Sequence, residues 1–191
     1  MPFTAEQANV YDPPSRHFLM DASMFTIPFQ AFHRYQGPSA TMRVTIASIL
    51  PVVDARGPLM SQAETVTLFN DMCVFAPATL VDPGIRWEDV DARRSRAWFA
   101  NAGHMISADL VFNESSELVD FVSDDRLQVS PNGASFTRTR WSTPLRDYRA
   151  FGPFRLAGRG EGRWHEAAGP YAYIEVNIES VEYNDGHEGS H

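Results

Sequence analysis

The stretch HMISADLVFNESSELVDFVSDDR, residues 104–126, constrains the chain more than any other, because its pattern is that of a β-hairpin. Two apolar-rich runs, residues 106–112 and 118–122, flank the polar loop Asn113-Glu114-Ser115-Ser116-Glu117. Side chains alternate along a strand, so Ile106, Ala108, Leu110 and Phe112 share one face while Met105, Ser107, Asp109, Val111 and Asn113 share the other. A two-stranded ribbon is marginal alone and must lay its apolar face on further structure.

The flanking segments supply it. Upstream, Thr4-Ala5-Glu6-Gln7 has the spacing of a capping box and predicts a short helix or turn, which Pro13-Pro14 ends. Strands are expected at residues 18–24, 25–35 and 41–53, with a turn at Gln36-Gly37-Pro38. Ser61-Gln62-Ala63-Glu64 is a second capping box and opens the best helix in the chain, residues 61–75, where Ala63, Val66, Phe69 and Cys73 with Met72 form an apolar stripe. Short strands follow at 87–91 and 95–100. Beyond the hairpin, strands are expected at 135–141, 145–151, 154–156, 163–167 and 171–183, with Asn132-Gly133, Gly152-Pro153 and the glycine-rich residues 158–162 between them. Many strands joined by short loops around one helical block predict an α+β fold. The expected architecture is a strongly curved, mostly antiparallel sheet of about ten strands, an open or half barrel covered by the short helical insertion, over residues 1–184. Residues 185–191 read as a disordered tail or cloning remnant.

Composition narrows the function classes. A net charge of −8 argues against a nucleic-acid partner, and no apolar run approaches the length needed to span a bilayer. All 16 basic residues are Arg, which excludes Schiff-base chemistry by lysine. Cys73 is alone and lies on the helix stripe, where a buried thiol is the ordinary occupant. His17, His33, His104 and His165 fall on separate elements without ligand spacing, so neither a metal nor a cofactor is expected. The N-terminus has no secretory-signal pattern, which favours a cytoplasmic location. The sequence leaves the oligomeric state open.

The strings Pro51-Val-Val-Asp-Ala-Arg-Gly57, Leu68-Phe-Asn-Asp-Met-Cys-Val-Phe-Ala-Pro-Ala-Thr-Leu80 and Trp87-Glu88 resemble a family of uncharacterised bacterial proteins. The resemblance continues through Phe121-Val-Ser-Asp-Asp-Arg126, Trp141-Ser-Thr-Pro144, Asp147-Tyr148-Arg149 and Ile178-Glu-Ser-Val-Glu-Tyr-Asn184, and covers nearly the whole chain. Similar members often carry a further N-terminal portion, sometimes with membrane helices, so this chain is read as a short or truncated member. The family brings no activity with it. Its strand–helix–strand order is similar to that of curved-sheet periplasmic lipoprotein carriers, an analogy of fold alone.

The function expected from these readings is binding or carrying of a hydrophobic small molecule, an acyl chain or similar, between sheet and helix. Trp87, Phe69, Met72, Phe112, Trp141, Trp164 and Tyr173 would line the space. The alternative is an acid–base isomerase, cyclase or hydrolase acting on a hydrophobic substrate in the same hollow. An inward carboxylate (Asp124, Asp125, Glu88 or Glu175) would then work with His165 or Tyr148. Asp124-Asp125-Arg126 is the sharpest charged cluster, although a strand-end ion pair is its commoner role.

Overall fold

In the computed structural model, residues 1–24, 26–47, 50–131 and 133–183 are described here. The expectations for Phe25, Ser48, Asn132 and the tail lie outside them. The first five strands are β1 (Phe3–Val10), β2 (Ser15–Met24), β3 (Ile27–Gln36), β4 (Ser39–Ile46) and β5 (Leu50–Arg56). They pair in sequence order as an antiparallel meander. Helix α1 (Pro58–Phe75) follows, then a 3-10 turn at Pro77–Val81.

The remaining strands are β6 (Arg86–Asp91), β7 (Arg94–Asn101), β8 (His104–Phe112), β9 (Leu118–Ser123), β10 (Leu127–Val129), β11 (Phe136–Arg138), β12 (Arg140–Ser142), β13 (Leu145–Phe151), β14 (Phe154–Glu166) and β15 (Gly169–Asn177). β10 and β11 form a separate ribbon. The others make an eight-stranded sheet in the order β13-β14-β12-β9-β8-β7-β6, with β15 also on β14. The fold is α+β and mostly β, with antiparallel pairing between its strands and, among the described residues, no closed barrel.

The hairpin of residues 104–126 forms as its alternation requires: Ile106, Ala108 and Leu110 are buried and Phe112 packs at the margin of the core. Other expectations change. Among the described residues the strands belong to two large sheets and a ribbon, and α1 lies between the large sheets instead of roofing one. It touches β4 and β5 on one side and β8, β9, β10 and β14 on the other. Polar Glu64, Thr65, Asn70 and Asp71 are therefore buried along with the apolar stripe.

The capping boxes do not cap. Thr4 to Gln7 sit inside β1, where an eight-residue register with β2 outweighs the local signal. Helix α1 begins at Pro58, which suits a first turn because it lacks the N–H that would go unpaired there. Ser61 instead donates its hydroxyl to the Pro38 carbonyl at 3.0 Å and accepts from the Ala40 N–H at 3.2 Å. Residues 41–53, expected as one strand, divide between β4 and β5, and residues 135–141 divide between β11 and β12.

Residues 158–162, expected as a loop, are the interior of β14. Their glycines permit close approach: a Cβ at Gly158 would stand 2.7 Å from the Asp147 carbonyl oxygen, and one at Gly162 would stand 2.8 Å from Ile174. Asp147 itself has φ 61°, the irregular residue facing Gly158 across the β13–β14 ladder.

Candidate functional site

Helix α1 carries Glu64 and Asp71 on one face, seven residues or two turns apart. Both are buried, and β2 on one side and the segment between β9 and β10 on the other bring cations to them. Arg16 of β2 donates through Nη1 to Glu64 Oε2 at 3.2 Å and through Nε to Asp71 Oδ2 at 2.6 Å. From the other side Arg126 Nη2 donates to Glu64 Oε1 at 3.3 Å, and His33 Nδ1 of β3 stands 3.6 Å from the same oxygen. Gln7 of β1 donates to Asp71 Oδ2 at 2.8 Å. Burial would raise the Glu64 carboxyl, but His33, Arg126 and Arg16 outweigh it and hold the group well below the usual carboxylate range. A second polar tie joins all three layers: the Tyr35 hydroxyl of β3 meets Thr65 Oγ1 of α1 at 2.9 Å and accepts from Asn101 Nδ2 of β7 at 2.7 Å.

Arg126 is also placed by aromatic rings. Its guanidinium carbon lies 5.7 Å from the centroid of Trp141 and 5.9 Å from that of Trp164. Its Nε and Nη1 are buried without a hydrogen-bond partner among the described residues. Trp141 Nε1 donates to the Tyr173 hydroxyl at 3.3 Å, and Tyr173 stacks on Trp164 at 5.7 Å. Three of the expected ligand-lining residues, Trp141, Trp164 and Tyr173, thus come together beside the ionic centre.

The other expected lining residues do not join them. Phe69 and Met72 are core: Phe69 stacks on Phe99 at 4.9 Å and meets Phe121 edge-on at 5.8 Å. Phe112 packs at the core margin, and Trp87 is 39% exposed on β6.

None of the proposed acid–base carboxylates points into the space between helix and sheets. Asp124 is exposed and 3.3 Å from Arg140. Asp125 accepts from the Ser107 N–H at 2.7 Å and hydroxyl at 3.0 Å and also pairs with Arg138, so it fastens β8 to the segment after β9. Glu88 is exposed on β6, and Glu175 is exposed on β15 opposite Glu161. Tyr148 donates its hydroxyl to the Leu118 carbonyl at 2.8 Å. The physical reason is common to them: they lie on outward rows, at strand ends or in local hydrogen bonds, and alternation alone does not say which face of a sheet is covered.

His165 also lies on the outer face of the eight-stranded sheet, where Ser142 Oγ meets its Nε2 at 2.8 Å. Desolvation, then the charges of Arg140 and Arg163, lower its pKa. It lines a cleft of about 310 Å³ with Arg94, Asp109, Val111, Asp120, Val122 and Arg140. Asp120 Oδ1 is buried without a hydrogen-bond partner among the described residues, and desolvation pushes this carboxyl up from 3.8 to about 6.

The sign of that shift yields a prediction. Asp120 holds its proton more tightly folded than unfolded, so its ionisation costs stability as pH rises from 3.8 to about 6, and the cost stays constant above that. Asp120→Asn is expected to raise the unfolding free energy at pH 8 by about 1–2 kcal/mol, after allowing for solvent screening, and to leave it nearly unchanged at pH 4. Urea titrations of both proteins at the two pH values measure this; equal stability at pH 8 would refute it.

Arg16, Glu64, Asp71 and Asp120 were not site candidates from sequence, and Arg126 entered only in the Asp124-Asp125-Arg126 cluster, whereas it pairs with Glu64. Glu64 and Asp71 carried one signal, carboxylates seven apart on a helix beside its apolar stripe. The partnership with Arg16 and Arg126 had none, because it is made between distant segments.

The architecture and its interior define a class: a mostly antiparallel two-sheet α+β protein whose central helix is fixed by a buried ionic cluster. The chain belongs to DUF6544, a family of unknown function, whose sequence profile matches residues 1–176. No curated protein and no solved structure matches it. No helix among the described residues is long and apolar enough to cross a membrane.

Proposed function

We propose that this protein binds a hydrophobic small molecule, an acyl chain or similarly apolar metabolite, on the helix-facing side of the five-stranded sheet beyond α1. One observation carries the reading. Phe3, Phe18, Met20, Phe29, Val44 and Ile46 share that side, as the strand registers require, and all are half-buried and outside the packed core. The same face begins at Arg16 and Tyr35, which contact α1, so the strip continues the core-facing surface past the helix. His17, Asp21, Arg34 and Arg43 occupy the opposite side together with the exposed Leu19 and Phe32, so charged and apolar residues alternate there. An apolar strip that continues a core face without joining the core fits a ligand surface. Its polar end is the ionic cluster, with His33 next to Phe18 and, nearby in the cluster, the two nitrogens of Arg126 that have no partner among the described residues. A ligand with a polar head and an apolar tail matches this layout. The acid–base alternative in the same space has less support, since its carboxylates lie elsewhere.

Native mass spectrometry after mild isolation tests for bound ligand, and displacement of a fluorescent fatty acid gives affinity. Val44→Asp is expected to weaken probe binding at least tenfold while unfolding stays cooperative. An unchanged probe affinity, together with a spectrum showing only the bare chain, would remove the proposal.

A further inference from the structure

The outer-face cleft stands apart from the apolar strip, on the other sheet and away from α1. Its lining charges are not equally engaged. Both oxygens of Asp109 accept from Arg96, at 2.6 and 2.9 Å. Arg140 has Asp124 at 3.3 Å, and His165 has Ser142. Two groups are the least engaged among the described residues. Arg94 comes no nearer than 3.8 Å to Asp91, beyond hydrogen-bond distance. Asp120 enters no ion pair among the described residues, and one of its oxygens has no donor.

The strand registers set these two in one row. Asp120 of β9 pairs with Val111 of β8, and Val111 pairs with Arg94 of β7. This loosely held cation and carboxylate are therefore two strand spacings apart, about 10 Å at the backbone, with an apolar side chain between them. A ligand carrying both signs of charge would bridge that gap. Val111 and Val122 offer an apolar floor for a small side chain, and the cleft, about 310 Å³, is of a size for a small metabolite. A ligand bearing only an anion would meet Asp120, and one bearing only an ammonium would meet Arg94 and Arg140. We infer that this cleft is a second binding site, for a small zwitterion of the amino-acid type, its carboxylate on Arg94 and its ammonium on Asp120.

Titration of the 15N-labelled protein with L-valine, isobutyrate, isobutylamine and N-acetyl-L-valine, followed by NMR, tests the assignment. L-valine is expected to shift the amide signals of Val111 and Asp120 and to bind at least tenfold more tightly than the three compounds lacking one charge. Arg94→Gln and Asp120→Asn, both outside the packed core, are each expected to bring L-valine down to the level of those compounds. N-acetyl-L-valine binding as tightly as L-valine would overturn the inference, as would L-valine leaving those signals unmoved up to its solubility limit.

Discussion

Glu64→Ala is expected to destabilise the protein by about 3–5 kcal/mol, the usual cost of stranding buried charges after one partner is removed. Two guanidinium groups, on Arg16 and Arg126, converge on this carboxylate from opposite sides, and all three residues are buried. Arg16 would keep Asp71, whereas Arg126 would lose its only ion-pair partner among the described residues. Arg126 is therefore the residue through which most of the loss should run. The double variant Glu64→Leu, Arg126→Met removes this carboxylate with the cation that depends on it, leaves Arg16 paired with Asp71, and is expected to recover much of the stability, because apolar groups of similar volume escape the desolvation cost. The pH dependence has a definite sign. With its carboxyl held below the ordinary value of 4.5, Glu64 contributes fully above that pH, and the contribution is lost as pH falls through the lower folded value. Urea unfolding from pH 7 down to pH 3 should show a steeper acid loss in the wild type than in the double variant. Equal slopes, or a Glu64→Ala protein as stable as the wild type, would mean that the cluster does not hold the layers together.

Phe69→Ala is expected to cost about 3–5 kcal/mol, the range for truncating a buried aromatic ring and leaving a cavity. Phe69 is fully buried, lies nearly parallel to Phe99 (9° between rings) and meets Phe121 edge-on. Phe121 in turn meets Trp141 at 6.1 Å, so the loss would reach the aromatic group beside Arg126. This variant separates core from ligand surface. Affinity for a fluorescent fatty acid should stay within about twofold, because Phe69 is not on the apolar strip and distant sites act nearly independently. Lost affinity with little change in stability would reassign the ring to a ligand-lining role.

Much of the scaffold was legible because it depends on local pattern. The hairpin of residues 104–126, the strand at Leu145–Phe151 and the helix through Phe75 are set by apolar spacing and by the turn chemistry between them. Local pattern misled where one residue type serves two purposes. Gly158, Gly160 and Gly162 read as a loop, yet they sit in a strand whose neighbours crowd both glycine ends. Ser61 and Glu64 have capping-box spacing, yet one bonds to the turn before β4 and the other to two arginines. Among the site residues, Trp141, Trp164 and Tyr173 could be named from sequence as a set of rings, but not as a group around Arg126.

The amino-acid sequence by itself determined the α+β class, the antiparallel pairing and the presence of one principal helix, since these follow from periodicity within short windows. Only the tertiary structure decided that the helix lies between two sheets. It also decided that Glu64 meets Arg16 and Arg126, and that Asp120, in one row with Arg94, has no ion-pair partner among the described residues. Alternation tells which side chains share a face. Which face is covered, and by what, is settled by contacts between residues far apart in the chain.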